Sequence, residues 1–95
     1  MKKKERNEYN QALETYQNQC AICKNNKVEL HHIIYRGYGL TIKENLIPLC
    51  KKCHMEIHSN QKYWTDVLLD MNRDCYGEFD KNDLKRKGKY DGFKY

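Results

Sequence analysis

A small α+β domain closed by a metal staple is the fold class this sequence predicts, and three observations predict it. Two Cys-x-x-Cys pairs, Cys20/Cys23 and Cys50/Cys53, stand 26 residues apart. Between them lie two short apolar stretches, one around Val28, Leu30, Ile33 and Ile34 and one from Leu46 to Leu49, with the length and branched content of strands. Helical patterns flank this middle, one N-terminal and one C-terminal. The 95 residues suit a single domain, residues 1–95, in a size range where apolar burial alone is marginal and a metal or disulfide often completes the fold.

The elements follow in chain order. Over residues 5–18, Tyr9, Leu13 and Tyr16 fall at i, i+4 and i+7 with no Gly or Pro among them, which predicts a helix covering one side of the metal-bearing middle. Cys20-x-x-Cys23 then runs into a polar Lys24-Asn25-Asn26 turn, the shape of a zinc knuckle whose turn amides bond the sulfurs. A short strand ends at His31 and His32. The glycines of Tyr35–Gly39 let the chain turn back, and Pro48 marks the second strand as an edge. From Lys51 a helix carries Cys53, His54, Ile57 and His58. A further helix over Gln61–Asn72 keeps Trp64, Leu68 and Met71 on one face, with Ser59-Asn60 as cap or break. After Gly77 the periodicity is lost, so residues 78–95 are expected to form an extended or disordered basic arm. Its Tyr90, Phe93 and Tyr95 would stack on bases or pack back on the body.

Charge is concentrated at the ends. Of the formal +5, the first six residues carry +3 and the last sixteen +3, which leaves −1 for residues 7–79. Basic ends on a near-neutral body suit salt-sensitive contact with a polyanion such as DNA or RNA, and they also serve plain solubility. A mean hydropathy of −1.06 excludes a membrane span, and the opening MKKKERNEYN has no apolar stretch of a secretion signal. The expected location is therefore cytoplasmic. Thiols are reduced there, and five cysteines in such a chain favour metal ligation over a disulfide framework. Cys20, Cys23, Cys50 and Cys53 are expected to close one tetrahedral structural Zn2+ that ties the entrance of the hairpin to the helix after it. A redox dithiol is disfavoured, since no βαβ pattern surrounds either pair. Cys75 has no metal spacing and is a buried or spare thiol.

The four histidines all lie between positions 31 and 58. His54 and His58 are four apart, so a helix puts both rings on one face. Adjacent strand residues point to opposite faces, so one of His31 and His32 turns toward that pair as a metal ligand and the other turns toward substrate. Three imidazoles with an open position make a Lewis-acid site, and a neutral histidine beside it can take a proton from water.

The stretch LHHIIYRGYGLTIKENLIPLCKKCHMEIH, with Cys20 and Cys23 upstream, resembles the HNH family of metal-dependent nucleases in its zinc-containing branch. The words His-His-Ile, Asn-Leu-Ile-Pro-Leu-Cys and Cys-His carry the resemblance, which spans about Cys20 to His58. It implies a ββα-metal (His-Me finger) unit in which His31, His54 and His58 hold a catalytic divalent metal, His32 is the general base, and Asn45 braces the loop and so orients His32. Imidazole-rich sites favour Zn2+, Ni2+, Mn2+ or Co2+ over Mg2+.

The expected function is therefore that of a metal-dependent endonuclease hydrolysing phosphodiester bonds in DNA. By the resemblance it leaves a 5′-phosphate and a 3′-hydroxyl. Arg36, Lys51 and Lys52 lie near the site in sequence and are candidates to hold flanking phosphates. Two rivals belong to other classes: a non-catalytic, zinc-stapled nucleic-acid-binding module, and an accessory protein of phage DNA packaging that works with a terminase or another protein partner. The pairing of His32 with Asn45 argues for the enzyme.

Overall fold

A computed structural model describes residues 3–35 and 37–85. Three helices and a two-stranded antiparallel sheet make up an α+β fold among these residues: α1 (Lys3–Thr15), β1 (Glu29–His32), β2 (Leu46–Leu49), α2 (Lys51–Ser59) and α3 (Gln61–Tyr76). Single turns of 3-10 helix at Lys43–Asn45 and Lys81–Leu84 complete it. No helix among the described residues is long and apolar enough to cross a membrane.

α1 stops three residues earlier than its pattern suggests. Gln17 and Asn18 take left-handed φ values of 58°, and the Asn18 N–H donates to the Leu13 carbonyl (2.8 Å), a left-handed helix stop. Its fully buried residue is Ala12, while Tyr9, Leu13 and Tyr16 are half-buried around it. The small side chain lets the helix lie close over β2.

In the sheet, His31 faces Ile47 and His32 faces Leu46. All four residues of β2 are buried, because α1 covers one side and the apolar faces of α2 and α3 the other. Pro48 fits this two-stranded sheet, and its carbonyl accepts from the Ala21 N–H (3.0 Å), tying the first cysteine turn to the strand. α2 and α3 are separated by Asn60, whose φ of −149° and ψ of 61° break the helical path. α3 continues past Asn72 to Tyr76 and ends where Gly77 adopts a φ of 94°, a value that favours glycine. Asn72 is buried inside it. Its Nδ2 donates to the carbonyls of Glu44 and Leu46 (3.0 Å each), and its Oδ1 accepts from the Tyr16 hydroxyl (2.5 Å).

The basic arm expected over residues 78–95 is corrected for its first part. Phe79 packs against the core, and Leu84 is only 1% exposed. Asp80 and Asp83 form a reciprocal capping box on the last 3-10 turn, and the Leu40 N–H donates to the Leu84 carbonyl (2.7 Å). Two apolar side chains in a polar stretch thus suffice to dock it, once the aspartates satisfy the turn's backbone. Arg36 and residues 86–95, including Tyr90, Phe93 and Tyr95, lie outside the described residues.

Candidate metal centres and groove

The cysteine cluster is built from two turns. Cys20 and Cys23 lie on the loop after α1, closed by Lys24 N–H to Cys20 O (3.0 Å) and Cys20 N–H to Asn25 O (2.8 Å), with Lys24 at φ 70°. Cys50 caps α2 and Cys53 sits in its first turn. All four sulfurs lie within 4.8 Å of one another, and Cys23 Sγ is 3.4 Å from Cys50 Sγ. Sulfurs bound to one tetrahedral ion at about 2.3 Å stand about 3.8 Å apart, so the cluster has the size of a four-thiolate site. None of the four is in a disulfide.

Electrostatics point the same way. Burial, the largest influence on Cys20, pushes its thiol up, yet the backbone amides of Cys23, Cys50 and Ile22 and the Cys23 thiol outweigh it and hold Cys20 at about 6. Burial and the thiols of Cys50, Cys20 and Cys23 drive Cys53 far above its ordinary range. One sulfur takes the charge and a neighbour is kept protonated, because adjacent thiolates repel. A divalent cation removes that conflict. The four cysteines can hold a structural metal ion, and the site is compatible with zinc. Cys75 is exposed on α3, outside the cluster.

The histidines separate across the strand. His31 turns toward α2, with its ring centroid 4.8 Å from that of His54 and 6.1 Å from that of His58. His54 and His58, one turn apart on α2, approach to 3.0 Å between their Nε2 atoms. Gln61, at the start of α3, reaches His58 Nδ1 at 2.8 Å. Burial, then the charges of His54, His58 and His32, hold His31 down at about 4. Burial and His58 also lower His54, against a weaker upward pull from Glu29. His31 and His54 are therefore neutral near pH 7, the form with a lone pair to give. These rings stand looser than the cysteines: among the described residues, only the four sulfurs gather three or more ligand atoms inside a common 4.8 Å.

His32 turns the other way, toward α1 and the loop. Its Nε2 lies 3.1 Å from Thr41 Oγ1, and its ring meets that of Tyr9 edge-on at 6.5 Å. Asn45 is 0% exposed. Its Oδ1 accepts from the Ile34 N–H (2.7 Å), its Nδ2 donates to the carbonyls of Ile34 (3.2 Å) and Leu40 (2.9 Å), and its own carbonyl accepts from the Ile33 N–H (2.9 Å). One buried amide thus pins both ends of the loop that follows His32. Gly39 is required for this, since a Cβ there would stand 2.5 Å from Asn45 Nδ2.

A groove of about 710 Å3 runs beside these residues, with His31, His32 and His58 in its wall. Two lysines line it, Lys81 and Lys85, both exposed and without an ion-pair partner among the described residues. Both fall within the segment expected to be an extended or disordered arm, and the Asp80-x-x-Asp83 capping box is the sequence signal that places them. Lys51 and Lys52 are exposed in the first turn of α2 and do not line the groove.

A family model described as "Protein of unknown function (DUF968)" matches residues 1–67. The chain belongs to the DUF968 family. The DUF968 match takes in both cysteine pairs, Asn45 and all four histidines, and stops short of Lys81 and Lys85. No curated protein and no solved structure matches this DUF968 chain.

Proposed function

We propose that this DUF968 protein is a metal-dependent HNH endonuclease that hydrolyses phosphodiester bonds in DNA. The observation that carries the reading is the split of the two adjacent histidines: the His31 ring lies near those of His54 and His58, while His32, also in the groove wall, turns to Thr41. The strands β1 and β2 with α2 would then be the ββα-metal unit. The donor set fits a divalent ion. Nitrogens about 2.1 Å from one tetrahedral ion stand about 3.4 Å apart, close to the 3.0 Å between His54 and His58.

An ion held there supplies Lewis acidity to the scissile phosphate and to the charge developing on the leaving oxygen. His32 accepts the proton of the attacking water, held in place by Thr41 and by the loop that Asn45 pins. The new phosphorus–oxygen bond forms as the bond to the 3′ oxygen breaks, and the 3′ oxygen takes a proton from solvent, leaving a 5′-phosphate and a 3′-hydroxyl. Cys50 and Cys53, at the start of α2, would hold a structural zinc together with Cys20 and Cys23, and so fix the helix that carries His54 and His58.

One observation favours a second reading, a zinc-stapled nucleic-acid-binding module without catalysis: the sulfurs are already gathered for an ion and the imidazoles are not. Plasmid nicking across Mn2+, Co2+, Ni2+, Zn2+ and Mg2+, beside a His32→Ala control, decides between them. The nuclease reading expects nicking with at least one ion and none from the control. No nicking with any ion, from protein holding one zinc per chain, leaves the binding module.

A further inference from the structure

The groove joins three chemistries in one place. Its floor is apolar, made by the buried side chains of Ile34, Ile57 and Leu68. Tyr35 and Tyr38 line it while remaining 71% and 53% exposed. Their ring centroids are 5.7 Å apart with the planes tilted by 49°, and the N–H groups of Tyr38 and Gly39 both donate to the Tyr35 carbonyl (2.8 and 2.7 Å). The Tyr35 ring lies over Gly37, where a Cβ would stand 2.8 Å from it. Opposite in character are Lys81 and Lys85, delivered by the docked C-terminal segment, whose Lys85 bridges to Gly39 beside the tyrosine turn.

A DNA duplex hides its base faces in the stack and presents phosphates and sugars outward, so it gains little from an apolar groove walled by exposed aromatic rings. An unpaired strand offers both flat base faces and a phosphate at every step, which is what rings and lysines arranged together recognise. We infer that this groove binds single-stranded DNA, with Tyr35 and Tyr38 against base faces and Lys81 and Lys85 on neighbouring phosphates. The inference deepens the nuclease reading, since a strand seated there passes His31, His32 and His58. Its binding step does not depend on cleavage.

The test is fluorescence anisotropy of a labelled 20-mer of thymidylate and of a blunt duplex of equal length, with the full zinc-loaded chain and no second metal added. The single strand is expected to bind at least tenfold more tightly than the duplex. Tyr35→Ala should weaken the single strand by about 5- to 150-fold, the range of one lost base stack, and Tyr35→Phe should restore it. Replacing Lys81 and Lys85 together by Gln should lower the slope of log K against log salt by about 1.4 for a single strand. Tyr35 is exposed, so its loss should leave the melting temperature in place. Equal affinity for duplex and single strand, or unchanged affinity in both Tyr35→Ala and Tyr38→Ala, overturns the inference. Tyrosine-dependent strand binding by a protein that never nicks plasmid would support it while removing the nuclease reading.

Discussion

His58 Nε2 lies 3.0 Å from His54 Nε2 and cannot keep that contact in a metal-bound site unless both nitrogens give their lone pairs to the same ion. A hydrogen bond at that distance needs a proton on one of the two nitrogens, and Gln61 meets the other ring nitrogen of His58 at 2.8 Å. Were the proposed ion held at Nε2, His58 would carry its proton on Nδ1 and Gln61 would present its amide oxygen to accept it. On the proposed reading Gln61 would therefore orient His58 as a metal ligand. Removing such a partner typically costs about 10- to 100-fold in metal affinity. Gln61→Leu is expected to weaken the second divalent site by that factor, read by calorimetric titration of Mn2+ or Co2+, and to leave the cysteine-bound zinc untouched. Unchanged titration would show that Gln61 does not orient the ligand.

His32 and His58 should fail in different ways. On the proposed reading His32, turned to Thr41, is the base and not a ligand, so His32→Ala is expected to retain both metals and its melting temperature while losing about 10²- to 10⁴-fold in cleavage rate at every metal concentration. His58→Ala loses a ligand, so excess metal should restore part of its activity. A His32→Ala protein rescued by metal would make His32 a ligand and redraw the site.

The cysteine centre should control folding. Zinc binding to such sites is worth on the order of 10 kcal/mol and is coupled to folding. Cys23 and Cys50 bring the loop after α1 against the start of α2, so an ion held there would tie the two together. Cys23→Ala is expected to abolish the cooperative thermal transition seen by circular dichroism, whereas Cys75→Ala, exposed and outside the cluster, should melt like the parent.

Asn72 ties three elements together. Replacing it with Ala strips a partner from the buried Leu46 carbonyl and from the part-buried Glu44 carbonyl and Tyr16 hydroxyl. Each net hydrogen bond contributes about 1 kcal/mol, and orphaned buried groups add to the loss, so destabilisation of about 2–4 kcal/mol is expected in urea unfolding. Glu44 and Leu46 flank Asn45, so a secondary fall in cleavage should accompany it. A change under 1 kcal/mol would show that water replaces the amide.

What was legible in the sequence was what spacing alone decides. The four-residue interval put His54 and His58 on one face, the strand alternation separated His31 from His32, and the Cys-x-x-Cys pairs fixed the cluster. Asn72 was not legible, because a lone polar residue on a helix face looks the same whether it meets water or three buried partners. Lys81 and Lys85 were missed for a related reason. Their segment is held by two apolar residues and a capping box, too little for any periodicity to show. Ala12 escaped notice because its value lies in being small under β2.

The histidine centre also sets a pH dependence. Burial and three neighbouring histidines hold His31 at about 4 in the folded protein, below the ordinary histidine value of 6.5. Between these two values the unfolded chain binds a proton that the folded chain refuses, so stability rises with pH across the interval. The contribution of His31 is fully present above about 6.5 and is lost as pH falls toward 4. His54, lowered in the same direction, adds to it. Acid also releases zinc from thiolates, so the comparison belongs between about pH 5.5 and 7, with zinc held at one equivalent and no second metal. Over that window the parent protein is expected to gain melting temperature with rising pH, and His31→Asn, which cannot titrate, should show a visibly flatter profile. Parallel profiles for the two proteins would mean that His31 is protonated as readily in the folded chain as in the unfolded one, and a neutral ligand at that position would then have to be formed by the ion itself.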